Sequence, residues 1–115
     1  MKTPQELIDE FAAAVIAQDE CIMRGDTREG NRHARKYLSA AKELLSGGES
    51  AIETFCALLN HDTPGVQVAA AAFLLKARTA RAVAALRPIA EGQSLTALGA
   101  QVTLARYERG ELEIT

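Results

Sequence analysis

Apolar residues recur along this chain at steps of three and four, the period of a helix that buries one side. The first such stripe is Leu7, Phe11, Ala14, Val15 and Ile22. Thr3-Pro4-Gln5-Glu6 precedes it with a cap, a first-turn proline and a reciprocating acid, and Gly25 ends it. Asp26-Thr27-Arg28-Glu29 repeats the cap pattern and opens a second helix, which buries Ala34, Tyr37, Leu38, Ala41, Leu44 and Leu45 and stops at Gly47-Gly48. Gly30 weakens its first turn and moves the expected start toward Asn31. Ser50 caps a third helix with Ile52, Phe55, Cys56, Leu58 and Leu59 inward, and Asn60-His61-Asp62 is its exit. Thr63-Pro64 restarts the chain as a fourth helix, with Val66, Ala69, Phe73 and Leu74 inward as far as Ala77. Thr79 caps the fifth, with Val83, Leu86 and Ile89 inward, a kink at Pro88 and an end at Gly92. Ser94 caps the sixth, with Leu95, Leu98, Val102, Leu104, Ala105 and Tyr107 inward, closing at Gly110. Leu112 and Ile114 are expected to pack back over that end. No run alternates with period two, so the pattern predicts an all-α fold of five to six helices joined by short loops.

Composition agrees with the pattern. Twenty-two alanines and thirteen leucines against eleven valines and isoleucines favour helix over sheet. Five aromatics and no Trp predict a core of small and aliphatic side chains, with Phe55, Leu58, Phe73, Leu86, Ile89, Val102 and Leu104 at its centre. At 115 residues the chain is expected to be one domain. Its first 23 residues hold one base against five acids, the wrong charge for a signal peptide, and no run approaches the roughly 20 apolar residues that span a bilayer. Cys21 and Cys56 lie among apolar neighbours, and free thiols are the expectation. These features describe a cytoplasmic protein with no membrane partner.

The segment beginning near Ala51 falls on the one beginning near Ala82 at a shift of 31 positions. Ile52 then meets Val83, Phe55 meets Leu86, Leu58 meets Ile89, cap Thr63 meets cap Ser94, and Arg78 meets Arg109. Each unit is a helix, a tight turn and a second helix, so the chain divides into a hairpin over 3–46 and two helix pairs over 50–77 and 79–109. The run from Leu58 through Asn60-His61-Asp62-Thr63-Pro64 to Val68 and Ala69-Ala70-Ala71 resembles the middle of a HEAT-type repeat. Gln67 stands where such repeats usually carry Arg, and the period is shorter than the roughly 40 residues typical of the class. With Asn31-Arg32, Ala69 to Ala72 and Leu104-Ala105-Arg106-Tyr107, most of the chain also looks like a small bacterial domain-of-unknown-function family of this layout. The resemblance implies a short right-handed α-α superhelix of HEAT-like (armadillo-like) pairs. It brings no established activity and no functional residues to carry over.

Candidate chemistry is sparse. His33 sits among Arg32, Arg35 and Lys36, and His61 lies in a turn beside Asp62. Cys-x-x-Cys, His-x-x-x-His and His-Glu-x-x-His spacings do not occur, and no Lys-Ser/Thr follows Gly47-Gly48, so neither zinc nor a phosphate loop is indicated. Glu6, Asp9 and Glu10 occupy the first turns of a helix, where acids favour the dipole. No enzyme, no cofactor and no metal is the resulting expectation. A small-molecule pocket near Cys56 and Tyr37 is a weaker alternative.

Charge is more informative. The net charge is −2, but residues 24–42 hold six bases against two acids, with Arg24, Arg28, Arg32 and Arg35 spaced by four, four and three. One reading is internal: the acidic first helix packs against this stripe and neutralises it. The other is a binding face for a protein, with Arg28, Arg32 and Arg35 as a basic rim suited to an acidic partner and Gln67 and Gln101 as neutral hydrogen-bonding positions. The alternative partner is nucleic acid, against which stand the net charge and the scarcity of aromatic residues beside the bases. The ends of the helical stack lack polar caps, which leaves homodimerisation through an end helix open.

Overall fold

Helix α1 (Pro4–Arg24) begins where two orphan amide groups at Thr3 and Glu6 find partners. The Glu6 N–H donates to Thr3 Oγ1 at 3.1 Å, and the Thr3 N–H donates to the Glu6 carboxylate at 3.0 Å. Hydrogen bonding of the carboxylate by the Thr3 N–H first, and by the Thr3 hydroxyl second, holds the Glu6 carboxyl below its ordinary range. Gly25, at φ 74°, closes α1 in the left-handed region. Asp26 Oδ1 then accepts from the Glu29 N–H at 3.1 Å and caps α2 (Thr27–Leu45). The cap at Asp26 fixes the start at Thr27, ahead of the Asn31 expected from Gly30, and Gly30 itself is buried.

The computed structural model describes residues 2–110, whose regular structure is helical throughout. After α2 come α3 (Glu49–Cys56), a 3-10 turn at Ala57–Asn60, α4 (Pro64–Leu74), α5 (Thr79–Ala90) and α6 (Leu95–Glu108). Leu112 and Ile114 lie outside the described residues. Thr63 and Ser94 hold the N-cap positions where the sequence places them; Ser94 Oγ accepts from the Ala97 N–H at 3.0 Å, whereas the Thr63 side chain makes no cap hydrogen bond. Two other expected caps shift. Gly48, at φ 94°, precedes α3 in place of Ser50, and Arg78 precedes α5 while Thr79 donates its hydroxyl to the Leu75 carbonyl at 2.6 Å. That early turn also ends α4 at Leu74, short of Ala77. Pro88 lies in the last turn of α5, where its missing donor removes little of the helix.

The chain divides into two compact units, Met1–Leu58 and Leu59–Thr115. The first contains α1, α2 and α3, so α3 packs with the hairpin although the sequence pairs it with α4. Its core is aromatic. Phe11, fully buried, meets Tyr37 of α2 with ring centroids 5.4 Å apart at 67°, and Phe55 of α3 at 5.1 Å and 70°. Both are edge-on arrangements, which the ring quadrupole favours. Around them lie Leu7, Ile8, Val15, Ala40, Ala41, Leu44, Ile52 and the free thiols Cys21 and Cys56. Two positions on the expected stripes, Ile22 and Leu38, are exposed; Cys21 and Ala41 point inward beside them. Gly47 is required for the turn into α3, since a Cβ there would lie 2.9 Å from the Ala51 Cβ and 3.1 Å from the Glu43 carbonyl.

The second unit is built differently. Val66, Leu74, Leu75 and Leu86 supply its bulk, while Ala70, Ala71, Ala82, Ala97 and Ala100 let α4, α5 and α6 approach closely. The sequence expectation of a core through Phe73, Ile89, Val102 and Leu104 is corrected here. Phe73, Ile89 and Leu104 are half-buried, and Leu95, Leu98 and Val102 are exposed. Size misled the assignment: on α6 the small side chains face inward, so the larger ones on the other side are left outside.

Two outcomes follow from this packing. Phe55→Ala should cost about 3–5 kcal/mol in chemical denaturation, whereas half-buried Phe73→Ala should cost about 2 kcal/mol, less burial being lost. Equal costs would contradict the burial pattern. Alkylation under denaturing conditions should modify both cysteines with or without prior reduction; a two-proton mass deficit in the unreduced protein would reveal a disulfide instead.

Candidate functional site

The charge stripe on α2 follows from how that helix is seated. Gly30, Ala40, Ala41 and Leu44 are buried, and Tyr37 is held against Phe11 while its hydroxyl donates to Gln18 Oε1 at 3.2 Å. Burial pushes the Tyr37 phenol above its ordinary range. With that side of α2 inward, Arg28, Arg32, Arg35, Ser39 and Lys42 line the opposite side, and all five are exposed. Lys42 extends the predicted rim by two turns, and the same four- and three-residue spacing marks it in the sequence.

The internal reading required acids of α1 to neutralise this stripe. In the fold three of the five acids of α1 meet groups near their own helix. Glu10 pairs with Lys2, Glu6 closes the Thr3 cap, and Asp9 Oδ1 accepts from the Gln5 amide at 3.0 Å. On the stripe itself, Arg32 pairs with Glu29 at 3.0 Å, three residues away on the same helix. That pair is exposed on both sides and leaves the arginine accessible to a stronger partner. Arg24, expected on the same line, is the last residue of α1, because Gly25 turns the chain before α2 begins. Its guanidinium donates to Cys21 Sγ at 3.3 Å.

Gln67 and Gln101 each make a backbone contact within the second unit. The Gln67 amide donates to the Leu59 carbonyl at 2.9 Å, and the Gln101 amide donates to the Ala90 carbonyl at 2.7 Å. Each closes a carbonyl at the end of the preceding helical segment, which helix geometry leaves without a partner. The glutamines belong to the second unit and the three arginines to the first, where the arginines share one face.

The other chemical candidates settle into structure. The Thr63 N–H donates to His61 Nδ1 at 3.0 Å, so His61 braces the turn before α4. Cys56 is fully buried and Tyr37 is packed on Phe11, which places both in the core of the first unit. Among the described residues no group of three or more His, Cys, Asp and Glu is arranged to hold a metal ion, and no helix is long and apolar enough to cross a membrane.

No family model matches the chain, and no curated protein does. The crystal structure of the protein RPA1889 from Rhodopseudomonas palustris CGA009 is similar to it, with a TM-score of 0.90 over 100% of this chain and 96% of that one, at 21% identity. At that identity the likeness extends to the fold alone.

If Gln67 is a structural brace, Gln67→Ala should lower stability by about 1–2 kcal/mol, because the Leu59 carbonyl of a buried residue loses its donor. Thermal or urea unfolding checks this, and an unchanged midpoint would return Gln67 to the list of binding positions.

Proposed function

We propose that this chain is a non-catalytic protein-interaction module of the cytoplasm, built from HEAT-like helix pairs, that docks an acidic protein segment on the exposed face of α2. The observation that carries the proposal is the outward line of Arg28, Arg32, Arg35 and Lys42, set on a helix whose other side is anchored by packing. The helix backbone that carries the row is already ordered, and complementary charge speeds encounter with an acidic surface. The repeat reading is supported by helix starts at Pro64 and Leu95, which keep the 31-residue offset.

A protein is favoured over nucleic acid as the partner. The aromatic residue of α2, Tyr37, faces inward and cannot stack on a base, and the chain as a whole carries net charge −2. Binding to oligonucleotides would instead show a linear loss of log affinity with log salt.

The test is a triple substitution of Arg28, Arg32 and Arg35 to Ser. Stability should fall by no more than about 1.5 kcal/mol, about 0.5 for each surface change, while capture of an acidic partner from the native cytoplasm weakens. Loss of several kcal/mol with capture intact would assign the arginines to internal pairing.

A further inference from the structure

Helix α1 carries an exposed row of its own, and that row complements the one on α2. Glu6, Asp9, Ala13, Ile16 and Glu20 are exposed and follow one another at steps of three, four, three and four. They lie on the side of α1 away from buried Leu7, Phe11, Ala14 and Val15. The α2 row, from Arg28 through Arg32, Arg35 and Ser39 to Lys42, has steps of four, three, four and three. The two rows are equally long, about 21 Å each at the rise of an α-helix. Within one chain they cannot meet. Phe11 and Tyr37, ring against ring, set the buried sides of α1 and α2 toward each other, and the rows lie on the opposite sides.

We infer that the acidic segment docked on the α2 face is α1 of a second copy of the chain, running antiparallel to α2. This rests on the reading of α2 as a protein-binding face and names its occupant. Read from Glu20 back to Glu6, the α1 row has the same steps as the α2 row, so the two stay in register from end to end. Glu20 falls against Arg28, Ile16 against Arg32, Ala13 against Arg35, Asp9 against Ser39, and Glu6 against Lys42. Each end of the contact pairs a carboxylate with a cation, and the Ser39 hydroxyl donates to Asp9. In the middle, Ile16 and Ala13 take the aliphatic stems of Arg32 and Arg35, whose charged heads reach on to the acids at either side. The local hydrogen bonds of Glu6 and Asp9 use one oxygen each, Oε1 and Oδ1, and a carboxylate accepts through both. A parallel arrangement would put alternate positions one residue out of step and align two helix dipoles that the antiparallel one opposes. Because the two faces differ, the contact is heterologous: a chain that gives α1 to one neighbour keeps α2 for another, and association is open-ended. Built on exposed ion pairs, it is weak and screened by salt.

Sedimentation velocity of the full chain at about 0.01 M ionic strength, from about 5 to about 500 μM, reads it directly. The parent should pass from monomer to dimer and larger species as concentration rises, and return to monomer in about 1 M salt. Glu20→Lys and Arg28→Glu should each raise the Kd about tenfold or more, since each sets like charges together, and both in one chain should restore association. Thermal melts of these surface variants should match the parent's. The triple change of Arg28, Arg32 and Arg35 to Ser removes one face, and Glu20→Lys removes the other. Each variant alone should be monomeric, and an equimolar mixture should stop at a dimer of one with the other. A parent that stays monomeric throughout overturns the inference; if capture of another acidic protein still depends on the three arginines, the α2 face stands with a different occupant. A double exchange that fails to restore association overturns the antiparallel register. A mixture that stays monomeric, or that grows beyond the dimer, overturns the head-to-tail contact.

Discussion

Phe11 is the residue on which the first unit depends. Its ring lies fully buried, edge-on to Tyr37 and to Phe55, and so ties α1 to both α2 and α3. Each such pair contributes about 0.5–1.5 kcal/mol beyond the area it buries. Orientation is the greater consequence. Tyr37 is nine residues after Arg28, about half a turn out of phase at roughly 100° per residue. Seating Tyr37 against Phe11 therefore turns Arg28, and with it Arg32 and Arg35, away from α1. The basic face is a product of aromatic packing in the core.

The second unit reaches its packing by another route. Its helices meet through alanines, Ala70 and Ala71 of α4, Ala82 of α5, and Ala97 and Ala100 of α6, with a few leucines filling the space between. Close approach through small side chains gains dispersion contacts along the backbone but buries less apolar area per residue than leucine would. The backbone ends must then be closed well, and Gln67 and Gln101 reach back to do so. The same choice leaves Leu95, Leu98 and Val102 on the outer side of α6. An unused apolar seam and a tight alanine interface are two sides of one helix.

These two designs separate the tasks of the chain. The first unit keeps its hydrophobic side chains together and presents charge; the second keeps small side chains together and presents hydrophobic surface. A face of fixed cations favours fast association with an acidic partner, whereas an apolar seam favours a partner that can exclude water from it. His61 lies in the turn before α4, His33 lies within α2, and Cys21 and Cys56 lie in the core of the first unit.

Local rules in the sequence determined the all-helical class and most of the punctuation. The capping box at Thr3, the stop at Gly25, and the caps Asp26 and Ser94 each act within one turn, so residues a few positions apart suffice to specify them. The arginine row was legible for the same reason, being a matter of spacing on one helix. Which side of a helix faces inward was not decided locally. On α6 both the alanine side and the leucine side are apolar, and only the close approach of α4 and α5 selects the alanines. Likewise Gln67 and Gln101 look like surface polar residues until a carbonyl eight or eleven positions earlier comes within reach. The edge-on meeting of Phe11 with Phe55 joins positions 44 apart, and no periodicity within a helix encodes that contact. It exists because folding α3 back onto the hairpin buries both rings at once.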